Sequence, residues 1–143
     1  MTPTPEKRGQ RKRIGVDGRV LQEHKPSGVS QYAYHVLRAI ISADTENDYV
    51  IFYNSFRNIA HILPYLDPRA EIHLYRFPNK ILEWLWKVFP YPKIDRLLNV
   101  DVFFSPHFAY IPLSKRVEKV ITIHDLSFMK NKRYFLPRKN LWH

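Results

Sequence analysis

The feature that most constrains this chain is a strand–loop–helix–strand pattern within residues 14–53. Residues 14–17 form a short apolar run that enters a loop at Gly18. Beyond the loop, apolar side chains recur every three or four positions, which places them on one face of a helix: Val29, Tyr32, Ala33, Val36, Leu37, Ile40 and Ile41. Residues 49–53 are then apolar on both faces, which is typical of a parallel strand covered by helices. The pattern predicts a β-α-β unit.

The alternation of strands and helices continues along the chain. Further helices are predicted at 55–66 and 79–89, and Pro90 and Pro92 end the second because proline lacks the amide that continues a helix. Further strands are predicted at 72–75, 101–105 and 120–124, the last two buried. This order predicts an α/β fold with a Rossmann-like, doubly wound and mostly parallel sheet. Ligands of such sheets bind outside the carboxyl ends of the strands.

Composition bounds the class of protein. The 143 residues suffice for one domain, 45% of them are apolar, and cysteine is absent. No apolar run approaches the roughly 20 residues of a membrane-spanning helix, and the start of the chain does not resemble a secretory signal. We therefore expect a cytoplasmic protein, or one held peripherally at the inner membrane face.

The net charge of +10 is concentrated at the two ends of the chain. Residues 14–129 hold 13 Lys and Arg against 12 Asp and Glu, so the folded body is nearly neutral. We expect residues 1–13 to form a flexible basic tail that is solvated or contacts an anionic membrane, without specific recognition of nucleic acid.

The predicted helix at 79–89 has an unusually wide apolar surface. Lys80, Glu83 and Lys87 share one polar stripe, and nearly all the other positions are apolar, among them Trp84 and Trp86. Such a surface favours a place in the core, with insertion into a membrane interface as the alternative.

Three loops leave the carboxyl ends of predicted strands: 18–28, 105–107 and 124–126. In the first, Ser27 is predicted to cap the following helix, and Gly28 would let the backbone approach a phosphate at the helix N-terminus. The alternative is a glycine that the turn alone requires. The loop matches neither the G-x-G-x-x-G dinucleotide pattern nor the P-loop pattern.

Histidines follow two of these strands. His124 can exchange a proton or donate a hydrogen bond near neutral pH, and Asp125 can orient the ring or bind a hydroxyl. The alternative is a histidine with a purely structural role. His107 lines the same cleft or only caps its strand. The remaining histidines show no spacing that predicts a metal site.

Four stretches together resemble the N-terminal domain of the GT-B-fold glycosyltransferases called glycosyltransferase family 4. They are Ile14-Gly15-Val16-Asp17-Gly18-Arg19, Ser27-Gly28-Val29-Ser30-Gln31-Tyr32, Asp101-Val102-Phe103-Phe104-Ser105-Pro106-His107 and Val120-Ile121-Thr122-Ile123-His124-Asp125-Leu126. The resemblance implies one half of a GT-B fold. It also implies transfer of a sugar from a nucleotide-sugar donor to a glycan or lipid-linked acceptor, with retention of anomeric configuration and with no metal or other cofactor.

The resemblance also implies roles for individual residues. The glycine-bearing loop of the family lies near the donor phosphates, which maps onto Gly28 with Ser27. The strand-end histidine lies by the transferred sugar, which makes His124 and the adjoining Asp125 the catalytic candidates. Ser105, His107 and Arg19 are the candidates for the acceptor side of the cleft.

The family binds the donor nucleotide mainly through a second Rossmann-like domain, which this sequence does not contain. Residues 14–143 are therefore expected to be an acceptor-side domain that is cut short, because 136–143 begins like a helix and ends without a cap. Alone it is expected to be inactive, with a separate donor-binding domain as a partner. The alternatives are a non-catalytic α/β binding module whose basic termini contact anionic lipid or nucleic acid, and a flavodoxin-like or sugar-nucleotide-modifying enzyme.

Overall fold

The computed structural model describes residues 10–22, 27–56 and 67–125. The strands are β1 (Arg13–Asp17), β2 (Asp48–Asn54), β3 (Glu71–Tyr75), β4 (Val102–Ser105) and β5 (Glu118–Ile121). The helices are α1 (Gly28–Ala43), α2 (Asn79–Val88) and α3 (Ile94–Leu98), and a short 3₁₀-helix spans Arg19–Gln22. Most of the helix predicted at 55–66 and the whole of 136–143 lie outside the described residues.

All five strands are parallel and form one sheet in the order β3-β2-β1-β4-β5. The chain builds β1, β2 and β3 outward in one direction, then returns to place β4 on the other side of β1. The prediction of an α/β Rossmann-like fold is confirmed. The reversal between β1 and β4 creates a crevice at their carboxyl ends, where ligands of doubly wound sheets bind.

Two apolar layers cover the two faces of the sheet. Successive residues of β2 point to opposite faces. Tyr49 and Ile51 pack with Leu37 and Ile41 of α1. On the other face, a second cluster joins β2 and β4 to α2 and α3: Val50, Phe52, Leu82, Trp86, Ile94, Leu98, Phe103 and Ile111. The helices therefore cover the sheet on both faces.

The ends of the two longer helices follow local rules. Ser27 caps α1 as predicted: its hydroxyl accepts a hydrogen bond from the Ser30 amide at 3.1 Å, and the Ser30 hydroxyl accepts one from the Ser27 amide at 2.8 Å. α2 ends at Val88, one residue before the predicted end and two before Pro90.

The basic segment before β1 is partly ordered by the sheet. β1 begins at Arg13, one residue earlier than predicted. Arg11, Lys12 and Arg13 pair with Asp48, Glu118 and Glu71 at 2.5, 3.5 and 2.6 Å. These pairs neutralise three of the charges in residues 1–13, which were predicted to form a flexible tail.

The prediction for the last strand was wrong in position and in burial. β5 spans 118–121 instead of 120–124, and all four of its residues are exposed. Among the described residues, β5 lies at one edge of the sheet and pairs with β4, whose four residues determine which residues of β5 form hydrogen bonds. His124 therefore lies three residues beyond the strand rather than at its end.

The prediction that the wide apolar surface of α2 lies in the core was also wrong in part. Leu82 and Trp86 are buried, but Ile81, Trp84 and Val88 are exposed. α3 was not predicted, because its five residues are too few to show helical periodicity.

Candidate functional site

A buried ion pair lies at the carboxyl end of β1. Asp17 is fully buried, and its carboxylate accepts hydrogen bonds from Arg19 Nε at 2.9 Å and Arg19 Nη2 at 2.7 Å. Burial alone raises the pKa of Asp17, but the charge and hydrogen bonds of Arg19 and the proximity of His107 outweigh it, so the pKa lies below its ordinary value. Asp17 is therefore ionised at neutral pH and fixes the direction of the Arg19 side chain.

Gly18 allows the chain to turn tightly between these two residues. Its amide donates to the Phe52 carbonyl at 2.8 Å. A Cβ at this position would lie 2.6 Å from Ile51 Cγ2, closer than real Cβ contacts allow, and at a tight 3.0 Å from the Phe52 carbonyl oxygen. The absence of a side chain thus lets the turn pack onto β2 and sets the position of Arg19.

Arg19 lies at the wall of a cleft of about 380 Å³. Its guanidinium carbon lies 5.2 Å from the centre of a Trp86 ring, and Nη2 donates to the Tyr110 carbonyl at 3.3 Å. The lining comes from the end of β1, from α2 and from the loop after β4: Arg19, Glu83, Trp86, Lys87, Phe108, Ala109 and Tyr110. A cation, polar groups and aromatic faces in one concave surface suit a polar ligand with apolar ring faces.

The loop after β4 joins the ion pair to the rest of the site. His107 Nε2 lies 3.7 Å from Asp17 Oδ2. The Ser105 hydroxyl donates to the His107 carbonyl at 2.9 Å, and Ser105 is fully buried. Ser105 therefore shapes the loop, whereas His107 lies at the crevice between β1 and β4.

His124 connects this loop to the first turns of α1. Its Nε2 lies 2.8 Å from the Pro106 carbonyl oxygen, which can only accept, so Nε2 carries the proton. The ring meets Tyr32 edge to face, with centroids 4.8 Å apart. In the neutral imidazole, this tautomer leaves Nδ1 as a hydrogen-bond acceptor. Asp125 follows directly and is exposed.

Gly28 begins α1 one helical turn before Tyr32, and so lies on the same side of the helix. Its φ is not positive, and among the described residues a Cβ here would meet nothing within 4 Å. Neither the turn nor the packing of these residues requires glycine at this position. The first amides of a helix point outward from its N-terminus, so this open surface can receive an anion.

The residues of the site thus form two groups joined by the loop after β4. Asp17, Arg19 and His107 lie at the β1 and β4 ends, and Gly28, Tyr32 and His124 lie around the start of α1. Sequence reasoning gave no site role to Asp17, Tyr32 or the α2 side of the cleft. An acidic residue closing an apolar run was the available sign for Asp17, while the other contacts come from distant parts of the chain.

In residues 10–22, 27–56 and 67–125, no three His, Asp or Glu side chains are grouped so that they could hold a metal ion. No helix of the described segments is long and apolar enough to cross a membrane. Comparison of the chain with protein-family models, with characterised proteins and with solved structures found no match.

Proposed function

We propose that this domain is the acceptor-side half of a retaining glycosyltransferase that takes its sugar from a nucleotide-sugar donor. The observation that carries the proposal is the packing of His124 against Tyr32, which brings the imidazole beside the N-terminal turns of α1. This is the juxtaposition that the sequence resemblance requires, because the donor phosphates and the transferred sugar are covalently joined and must bind side by side.

The start of α1 supplies the features that a donor phosphate requires. The helix dipole and the outward amides of the first turn favour an anion. Gly28 leaves room for phosphate oxygens to approach the backbone. Ser27 holds this end of the helix rigid, because its hydroxyl already caps the Ser30 amide.

His124 is the proposed contact to the transferred sugar. The Pro106 carbonyl orients the ring through Nε2, so Nδ1 is the atom that can accept a hydrogen bond from a sugar hydroxyl. Asp125 is the second proposed catalytic residue. Transfer breaks the bond between the anomeric carbon and the phosphate oxygen, and the acceptor oxygen bonds to that carbon while its proton passes to the leaving phosphate.

The acceptor is proposed to lie in the cleft between Arg19 and α2. Phe108 and Tyr110 offer exposed aromatic side chains to sugar rings, and Arg19 and Lys87 offer donors to hydroxyl or phosphate oxygens. A second α/β domain, joined to this one or supplied as a partner, would hold the nucleotide and complete the cleft. Without it we expect donor binding to be weak and transfer to be negligible, because one wall cannot align the two substrates.

A pair of substitutions at Gly28 separates ligand binding from folding. Gly28→Glu adds a negative charge where a helix N-terminus tolerates it, so the fold should be kept, but the carboxylate repels a phosphate. We expect uridine diphosphate and guanosine diphosphate sugars to bind the wild-type chain weakly but measurably in isothermal titration at millimolar donor, and the Glu variant to lose that binding.

Gly28→Ala is the matched control, because its methyl group has open space among the described residues. It should bind the donor much more tightly than Gly28→Glu. Equal donor affinity in the wild-type and Glu chains would count against a phosphate at α1. A second pair, His124→Ala with the exposed His35→Ala as its control, tests the sugar contact in the same titration.

A further inference from the structure

α2 presents apolar side chains on two opposite sides. Leu82 and Trp86 face the sheet and are buried. Ile81, Trp84 and Val88 lie on the other side and are 61%, 63% and 53% exposed. Their spacing of three and four positions aligns them in one stripe along the helix. A helix that only covers a sheet has no need of this second stripe.

Large exposed side chains flank the stripe at both ends of the helix. Phe77 precedes α2, and Phe89 and Tyr91 follow it, with Phe89 64% exposed. We call these six residues the α2 apolar surface: Phe77, Ile81, Trp84, Val88, Phe89 and Tyr91. Concentrations of exposed apolar side chains bordered by polar residues mark interaction sites, whereas isolated exposed apolar residues are ordinary.

The charge around this surface is positive. Residues 76–93 contain four basic residues and one acidic residue, a net charge of +3: Arg76, Lys80, Lys87, Lys93 and Glu83. Lys80 and Lys87 lie beside the stripe on the helix, and Lys93 Nζ lies 5.7 Å from the centre of the Tyr91 ring. Tryptophan and tyrosine favour the boundary between water and hydrocarbon, and lysine stems extend their charge toward head groups.

We infer that the α2 apolar surface docks onto an anionic phospholipid bilayer, with α2 lying in the plane of the interface. Protein interfaces are depleted in lysine, so lysines beside an aromatic stripe favour lipid over a protein partner. A helix with an apolar side and a basic flank binds anionic membranes by burying the first and pairing the second with head groups. This contact is made by the folded domain and is separate from the basic terminal segments.

The inference does not depend on sugar transfer. If the proposed function also holds, the two are connected through α2, because Glu83, Trp86 and Lys87 of the same helix line the cleft. Docking of α2 would then hold the cleft close to the membrane, which favours a lipid-linked acceptor. Loss of nucleotide-sugar binding would leave lipid binding intact, so the two proposals fail separately.

Co-sedimentation with vesicles tests the inference on the whole chain. We expect binding to an equimolar mixture of phosphatidylcholine and phosphatidylglycerol, and much weaker binding to phosphatidylcholine alone. Trp84→Ser should weaken binding about tenfold, because the side chain no longer enters the interface. Ile40→Ser on α1 is the control, since Ile40 is exposed but lies outside the surface. It should bind like the wild-type chain.

The charge requirement has its own pair of variants. Lys80→Gln should weaken binding to the anionic vesicles about fivefold, as expected for one lysine at a charged membrane surface. Lys115→Gln, in the turn before β5, should leave it unchanged. Equal binding by the Trp84→Ser and wild-type chains would overturn the inference, since the terminal segments would then account for the attachment.

Tryptophan fluorescence locates the contact. In a Trp142→Phe chain, the remaining tryptophans are the exposed Trp84 and the buried Trp86. Vesicles should shift the emission to shorter wavelength, and brominated acyl chains should quench it. An unchanged spectrum under conditions where the chain sediments with vesicles would also overturn the inference. If Trp84→Ser abolished a dimer and left lipid binding unchanged, that result would overturn the inference as well.

Discussion

Asp17 and Arg19 show how a single residue pair sets one end of the site. The carboxylate is 0% exposed, so its charge is tolerated only because Arg19 binds both oxygens and His107 lies nearby. Arg19 in turn joins the end of β1 to Trp86 and to the loop at Tyr110. The pair therefore couples the buried carboxyl end of β1 to the wall of the cleft.

Replacement of Arg19 tests how far the buried Asp17 carboxylate depends on its partner. Arg19→Leu leaves a buried carboxylate without its main partner, and we expect the free energy of unfolding to fall by about 3 kcal/mol at pH 7. Arg11→Leu, which breaks the exposed pair with Asp48, should cost less than about 1 kcal/mol. Urea unfolding measures both.

The pH dependence of that loss provides a second test of the same pair. Without Arg19, burial becomes the dominant influence and raises the pKa of Asp17. Protonation then removes the buried charge, so the difference in stability from the wild-type chain should shrink as the pH falls from 7 to 4. A difference that stays constant over this range would contradict the assignment of the cost to an unpaired carboxylate.

Asp44, just beyond α1, predicts how the fold responds to acid. Hydrogen bonds from Asn47 and Tyr49 lower the pKa of its carboxyl from 3.8 to about 2. The ionised carboxylate therefore contributes stability above pH 4, and the contribution is lost as the pH falls toward 2. Asp44→Asn should make the melting temperature depend less on pH in that window, as measured by circular dichroism. Glu46→Gln should keep the wild-type slope, because Glu46 contacts Asp44 through its backbone amide.

At the scale of elements, α1 links the fold to the site. Its inner side packs Leu37 and Ile41 against the sheet, while its first turns carry Gly28 and Tyr32 toward His124. The Ser27 capping box sets where the helix begins, and hence where its amides and dipole point. The same residue that ends the loop therefore fixes the proposed phosphate position.

Loss of the cap should have a measurable cost. Ser27→Ala removes an N-cap hydroxyl and should lower the free energy of unfolding by about 1 kcal/mol, while Ser27→Asp should restore most of it. Ser42→Ala is the matched control, because the Ser42 hydroxyl donates within the last turn of α1, to the Arg38 carbonyl, and caps no helix end. Thermal unfolding compares the three variants, and equal losses for Ser27→Ala and Ser42→Ala would show that the cap does not hold the helix.

At the scale of the whole molecule, local patterns in the sequence predict most of the fold. The apolar run of β2 and the helical repeat of α1 are strong because both elements are buried against others. The predicted position of β5 was wrong because apolar residues continue past the segment that pairs. The paired segment is determined by the neighbouring strand β4. The wide apolar surface of α2 was predicted, but its placement in the core was wrong for Ile81, Trp84 and Val88, since periodicity identifies apolar positions but not what covers them.

The candidate site was predictable only in part. His107, His124, Gly28 and Arg19 follow strand ends or open a helix, positions that sequence alone can identify. Their neighbours are brought near by the fold: Tyr32 and Pro106 at His124, and Trp86 at Arg19. Such contacts join residues far apart in the chain and leave no local pattern.

The central claim is that donor phosphate and sugar bind where α1 begins beside His124. Nuclear magnetic resonance of the isotope-labelled chain, titrated with uridine and guanosine diphosphate sugars, tests it most directly. The account predicts saturable shifts that cluster at the amides of 28–32 and at the His124 ring, with smaller changes at His107. Shifts confined to other parts of the sheet, or none at millimolar donor, would contradict it.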